Sequence, residues 1–163
     1  MMENRSLDTE RLHLRALLST DRAFVGELIA REEVRRFLGG PVSIAQREAA
    51  ISGYFTFEEG EVVWLVETKD SRQPLGLISI SRHRDGHDRE LSYQFHPDAW
   101  GLGYATEAAR RVLDYALRDL QLKRLIAETQ STNFASRRLL ERVGMREARR
   151  LYRFGAEQII YVN

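Results

Sequence analysis

The sequence predicts a mixed α/β domain of the α+β kind, with a largely antiparallel central sheet flanked by helices in the order βααβββαβαββ. Three observations lead there. The apolar, β-branched runs Val62 to Glu67 and Leu75 to Ser81 are separated by Asp70-Ser71-Arg72-Gln73-Pro74, a composition suited to a turn. A helical period takes over from Tyr104 to Leu120, where Ala105, Ala108, Ala109, Val112 and Ala116 form one stripe. The 163 residues, 43% apolar and without a linker or repeat, suit one domain over 1–163 with a single sizeable core.

Taken in order, Glu10 to Leu17 alternates around Leu12, Leu14 and Leu17 and reads as the first strand. Ser19 or Thr20 can cap a helix from Asp21 that turns Phe24, Leu28 and Ile29 to one side. Gly39-Gly40-Pro41 ends that unit. Ser43 and Gln46 have capping-box spacing for a second helix with Ile44, Ile51, Tyr54 and Phe55 on one side. After the two hairpin strands, Asp85-Gly86 signals another turn, and Arg89 to Phe95 alternates Leu91, Tyr93 and Phe95 against Ser92 and Gln94. In the helix from Tyr104, Glu107 and Arg111, or Arg110 and Asp114, are spaced to pair. Arg124 to Thr129 is a strand and Asn133 to Val143 a helix ended by Gly144. Met145 to Leu151 and Gln158 to Val162 close the sheet.

The chemistry concentrates in Glu90-Leu-Ser-Tyr-Gln-Phe-His-Pro-Asp-Ala-Trp-Gly-Leu-Gly-Tyr-Ala-Thr-Glu107. Pro97 stops the strand, and a loop with Gly101 and Gly103 runs directly into a helix. The first N–H groups of a helix have no internal acceptors and lie at the positive end of its dipole, so the loop can hold a pyrophosphate without a lysine. A Gly-x-Gly pair alone serves a tight turn equally well. The segment is neither a P-loop, since Gly-x-x-x-x-Gly-Lys is absent, nor a dinucleotide fingerprint, whose last position is occupied by Thr106.

Trp100-Gly-Leu-Gly-Tyr-Ala-Thr-Glu-Ala108 closely resembles the acetyl-CoA loop of the GNAT acetyltransferase superfamily, in the branch of the ribosomal-protein N-acetyltransferases. Thr9-Glu-Arg-Leu-His-Leu-Arg15 is similar to that branch's opening strand, and Asn133-Phe-Ala-Ser-Arg-Arg-Leu-Leu-Glu-Arg-Val-Gly-Met145 to its second cofactor helix. The sequence departs from the pattern at Trp100, where Gln or Arg is common, at Met145, where Phe is usual, and at Leu140, where many relatives carry a tyrosine general acid.

The resemblance implies an N-acetyltransferase that moves an acetyl group from acetyl-CoA to a primary amine, either a protein N-terminus or a small molecule, by direct attack without an acyl-enzyme. The absence of cysteine and of a Gly-x-Ser-x-Gly elbow is consistent with that. It implies coenzyme binding by Phe95, His96, Trp100, Gly101, Leu102, Gly103, Tyr104, Ala105, Thr106, Asn133 and Ser136, with a main-chain N–H near Phe95 stabilising the oxyanion. Ser136 would hydrogen-bond or protonate the departing thiolate. Glu90 is the candidate base, with Glu128 in reserve, although a strand glutamate paired with arginine is an equally natural reading. Asn133 serves either the pantetheine amide or the helix N-cap.

No metal is expected: His83-Arg-Asp-Gly-His87-Asp88 has donors, yet its centre must turn a hairpin. Arg146, Arg149, Arg150 and Arg153 read as a solvated strand face rather than a nucleic-acid surface, and the net charge of +1 pulls towards neither nucleic acid nor an anionic membrane. Trp64 is expected in the core and Trp100 over the cofactor. With no apolar run of spanning length, a cytoplasmic, membrane-free protein is expected. It would be a monomer, or a homodimer paired through an exposed strand at Gln158 to Val162. The competing reading is an acyl-CoA-binding sensor or scaffold of the same fold without turnover.

Overall fold

In the computed structural model, which describes residues 6–163, the apolar alternation becomes an eight-stranded sheet of order β1-β2-β3-β4-β5-β6-β8-β7. The strands are β1 (Leu7–Asp8), β2 (Leu12–Ala16), β3 (Val62–Thr68), β4 (Pro74–Arg82), β5 (Arg89–Phe95), β6 (Leu125–Gln130), β7 (Arg146–Arg153) and β8 (Ala156–Val162). The helices are α1 (Arg22–Ala30), α2 (Glu32–Arg35), α3 (Ile44–Gly53), α4 (Tyr104–Arg118) and α5 (Phe134–Arg142). The expected order is therefore present, with the two-residue β1 and four-residue α2 added to it.

Two apolar layers cover the sheet. On one face α4 and α5 pack Ala108, Ala109, Val112, Ala116, Leu139 and Leu140 against Leu14, Trp64, Ile78, Leu91 and Phe95. The alanines recur at helical spacing, and their small size brings α4 close to the strands. On the other face α1 and α3 bury Val25, Leu28, Ile29 and Ile51 against Leu65 and Leu77.

Neighbouring strands are antiparallel except β5 and β6, which α4 joins as a crossover and which run parallel. Their pairing covers only Arg89 opposite Leu125 and Glu90 opposite Ile126. Beyond Glu90 the two strands part, leaving a V-shaped gap down to Phe95 on one side and Gln130 on the other. Across β5, Gly76 of β4 makes an unusually close approach: a Cβ there would lie 2.3 Å from Gln94 O and 2.9 Å from Phe95 Cα.

Several expectations need correction. β8 lies inside the sheet between β6 and β7, so Gln158 to Val162 offers no free edge; β7 is the edge strand. A tight turn at Phe154-Gly155 folds β7 back on the outer side of β8, an order that strand alternation cannot encode. Ile44 is 83% exposed and so does not join Ile51 in the core, and Ser43 makes no side-chain cap bond. Glu107 pairs with Arg11 rather than Arg111, while Asp114 pairs with Arg111 and Arg118. Among the described residues no helix is long and apolar enough to cross a membrane.

Candidate functional site

Gly76 faces Phe95, and the His96 N–H donates to Leu75 O at 2.8 Å. In an antiparallel ladder this alternation turns the main-chain groups of Phe95 away from β4, into the gap vacated by β6. The Phe95 carbonyl there accepts the indole N–H of Trp100 at 3.0 Å. Trp100 is half exposed and so braces the loop from outside, whereas Trp64 is fully buried. Pro97–Ala99 form a single 3-10 turn, and His96 accepts from Asp98 N–H through Nδ1 while Nε2 meets Glu27 of α1. The His96 side chain thus ties the loop to the α1 layer.

Gly101 and Gly103 have φ of +76° and +80°, the left-handed region that favours glycine. A Cβ at Gly101 would meet nothing within 4 Å, so the space beside the loop is open. The Glu107 N–H is the donor that first closes the α4 ladder, onto Gly103 O at 3.0 Å. The N–H groups of Tyr104, Ala105 and Thr106 precede that bond and form the anion-attracting end of α4.

Arginines surround this end. A cleft of about 390 Å³ is lined by Glu10, Arg11, Gly103, Thr106, Arg110 and Arg142, with Glu107 at its wall. Arg11 sits over the Tyr104 ring, 4.4 Å from its centroid, and donates to Leu102 O at 3.0 Å. Glu107 holds Arg11 in place, accepting from its Nε at 2.7 Å and main-chain N–H at 3.0 Å, and from Thr9 Oγ1 at 2.6 Å. Burial works against the Glu107 charge, but these donors outweigh it and hold the carboxyl below its usual pKa.

Across the gap, Asn133 Oδ1 accepts from Ser136 N–H at 3.2 Å, so Asn133 is the N-cap of α5. That capped turn presents Ser136 Oγ at 2.5 Å from Tyr93 Oη of β5. Burial pushes the Tyr93 hydroxyl up to about 12, against the lowering effect of the Ser136 bond, so it stays protonated at ordinary pH, and either hydroxyl of the pair can donate to the other. Leu140 is buried and supplies no hydroxyl.

Glu90 stands where β5 and β6 last pair, on the face opposite Tyr93, with Ser92 Oγ 3.3 Å from Oε1 and His83 Nε2 3.6 Å from Oε2. Burial is the main reason its pKa is raised, helped by the charge of Glu128 and opposed by His83. Glu128 has the opposite character. Burial raises it, but hydrogen bonds from Arg153 and His83 bring its pKa below the usual value, with Arg153 Nε at 2.9 Å and His83 Nε2 at 2.8 Å. The arginines of β7 are likewise committed: Arg149 and Arg153 to Asp85, Arg150 to Glu147 and Glu157. Among the described residues no group of three or more His, Cys, Asp or Glu is placed to hold a metal ion.

The structure thus brings Phe95, the Gly101 to Thr106 loop, Asn133 and Ser136 around one gap and sets Glu90 at its closed end. Tyr93, Arg11, Arg110 and Arg142 escaped the sequence reading. Tyr93 looked like an apolar strand residue, and Arg11 lies 96 positions from the Glu107 that orients it.

The model for the acetyltransferase (GNAT) domain matches residues 11–146, and the chain belongs to that family. An uncharacterized N-acetyltransferase of Bacillus subtilis, YoaA, is 31% identical over 147 residues, covering 86% of this chain and 82% of that protein. The fold is similar to a crystal structure of an acetyltransferase from Agrobacterium tumefaciens, with a TM-score of 0.85 at 24% identity over 100% of this chain and 96% of the other. It is also similar to the RimL ribosomal L7/L12 alpha-N-protein acetyltransferase in complex with coenzyme A, with a TM-score of 0.78 at 13% identity over 98% and 97% of the two chains. The chain is accordingly an acyltransferase.

Proposed function

We propose that residues 1–163 act as one N-acetyltransferase domain that carries an acetyl group from acetyl-CoA to a primary amine within a ternary complex. The observation that carries this reading is the parting of β5 and β6 directly between the anion-attracting end of α4 and the Glu90 carboxylate. Acetyl-CoA fits that arrangement. The N–H groups of 104–106 would hold its pyrophosphate, and Arg11, Arg110 and Arg142 the remaining phosphate charge. Gly101 and Gly103 leave room for it, Leu102 and Trp100 flank it, and His96 steadies the loop. The pantetheine arm would enter the gap, pairing with the main chain near Phe95 and with Asn133, whose Oδ1 already caps α5.

Catalysis on this reading is mainly positioning and electrostatics. The amine lone pair attacks the thioester carbonyl carbon, and the carbonyl oxygen collects negative charge that a main-chain N–H near Phe95 stabilises. Glu90, directly or through water, takes the proton the ammonium must lose. Its raised pKa suits that role, whereas Glu128 is tied to Arg153 and His83. The tetrahedral intermediate collapses with cleavage of the C–S bond as the nitrogen gives up its second proton to solvent water, and the thiolate takes a proton from Ser136, which is replaced from Tyr93 at 2.5 Å and there in turn from solvent.

A single-turnover experiment tests this. Protein mixed with acetyl-CoA alone should show no acetyl adduct by mass spectrometry, and addition of an amine should yield one acetylated amine per coenzyme A released. A stable acetyl-protein formed before the amine is added would overturn direct attack.

A further inference from the structure

On the face of the sheet opposite α4 and α5, α2 lies against β5. Beside it a cleft of about 330 Å³ is lined by Ile29, Arg35, Val42, Ala50, Gly53 and Tyr54. The cleft is connected to the gap by hydrogen bonds on both lips: Tyr54 Oη accepts from Gln94 Nε2 of β5 at 2.7 Å, and Phe37 O accepts from Gln130 Nε2 of β6 at 3.3 Å. The stretch from Phe37 through α3 to Tyr54 therefore reaches both of the parted strands, Phe37 on the β6 side and Tyr54 on the β5 side. It is held in place by Gly40 N–H on Arg35 O at 2.9 Å and Val42 N–H on Ile29 O at 3.0 Å.

Several polar groups at the cleft and beside it lack partners among the described residues, including Arg47 Nε, although Arg47 Nη2 donates to Val42 O. Arg35 donates through Nε to Gly40 O at 3.0 Å, and among the described residues its two Nη groups have no partner. Gln94 Oε1 is buried and accepts no hydrogen bond. A buried acceptor without a donor costs free energy, and a guanidinium fork left free on an otherwise apolar wall matches a carboxylate. The lining contains no Asp or Glu. A polycation such as a polyamine or an aminoglycoside would find nothing there to pair with, and the cleft has the size of a small-molecule pocket rather than a peptide groove.

We infer that the acceptor is a small amine bearing a carboxylate, of the amino-acid class. Its carboxylate would sit on Arg35, its apolar body against Ile29, Val42 and Ala50, and its amine would donate to Gln94 Oε1 on the way to the gap. The inference rests on the acetyl-transfer reading above and names its substrate class.

The test compares matched pairs, such as leucine with leucinamide and phenylalanine with phenylalaninamide, in thiol release from acetyl-CoA. The amide amines are less basic, so the readout is the carboxylate-to-amide ratio of kcat/KM in the wild type divided by that in Arg35→Gln. A quotient of about tenfold or more is expected from loss of a charge-assisted pair, with Arg35→Lys in between. A quotient near one, or a preference for polyamines or N-terminal peptides, would overturn the inference. Calorimetric titration of the same pairs onto the coenzyme A complex separates the two claims. Carboxylate binding that Arg35→Gln abolishes, without thiol release from any amine, would refute acetyl transfer and retain the site. No carboxylate binding would refute the site whatever the turnover.

Discussion

Removing the Glu107 carboxylate tests how the loop proposed to hold the coenzyme phosphates is braced. In Glu107→Ala, Thr9 Oγ1 and the Arg11 main-chain N–H lose partners at 2.6 and 3.0 Å, and the Arg11 guanidinium loses its anchor at 2.7 Å. The first two bonds, part-buried or at a charged acceptor, should contribute about 1 kcal/mol each. The guanidinium pair, with the Arg11 side chain 44% exposed, is solvent-screened and adds no more than about 1 kcal/mol. The sum of about 2–3 kcal/mol corresponds to a fall in Tm of about 5–10 °C for a domain of this size. Arg11 would also release Leu102 O and the Tyr104 ring, loosening the loop. Thermal unfolding and calorimetric titration with coenzyme A measure the two effects. The expected result is the Tm drop with an increase in Kd of about tenfold. Unchanged Kd in a destabilised protein would refute the link between this brace and the loop, and unchanged Tm would refute the bonding account.

Other outcomes follow from the same geometry. Glu90→Gln should lower kcat/KM about a hundredfold, and the wild-type rate should fall on the acid side at a pH above the usual carboxylate range, as the raised pKa requires. Because burial raises the folded pKa of Glu90, its favourable effect on stability is complete below the unfolded value and is lost as pH rises through the folded one. Glu90→Gln should therefore raise stability at neutral pH, read by denaturant titration. Ser136→Ala and Tyr93→Phe should each reduce kcat about three- to thirtyfold with coenzyme A affinity retained, since a thiol of pKa about 8.5 gains only modestly from protonation; loss of affinity instead would make the pair a binding element. Gly76→Ala should unfold or broadly destabilise the domain, because its Cβ would meet backbone at 2.3 Å, and a Tm within a degree of wild type would contradict that contact.

The elements with strong periodicity were legible in the sequence: β3 to β5, α4, β6 and α5 stand within a few residues of where alternation, alanine spacing and the Gly144 stop put them. The turn from β5 into α4 was legible for a local reason, since Pro97, Gly101 and Gly103 mark a strand end, a turn and a helix start. β1 and α2 were not, being too short to show a period. The inner position of β8 depends on which edge a returning strand chooses, information that lies in long-range pairing. The site residues missed were those whose role depends on partners far along the chain, as with Tyr93, whose partner Ser136 lies 43 positions away. Arg35 was unreadable for the same reason: its free Nη groups become evident only once α2, α3 and β5 are assembled.

The most direct test of acetyl transfer at this gap is thiol release from acetyl-CoA, with and without amine, by the wild type and Gly103→Trp. Gly103 has φ of +80°, which disfavours Trp, and the indole would occupy the mouth of the phosphate loop. Release that requires an amine in the wild type and disappears in a still-folded Gly103→Trp is the outcome that acetyl transfer here demands. Coenzyme A binding without amine-dependent release would make the protein a non-catalytic acyl-CoA binder, and equal release by the variant would place the chemistry elsewhere.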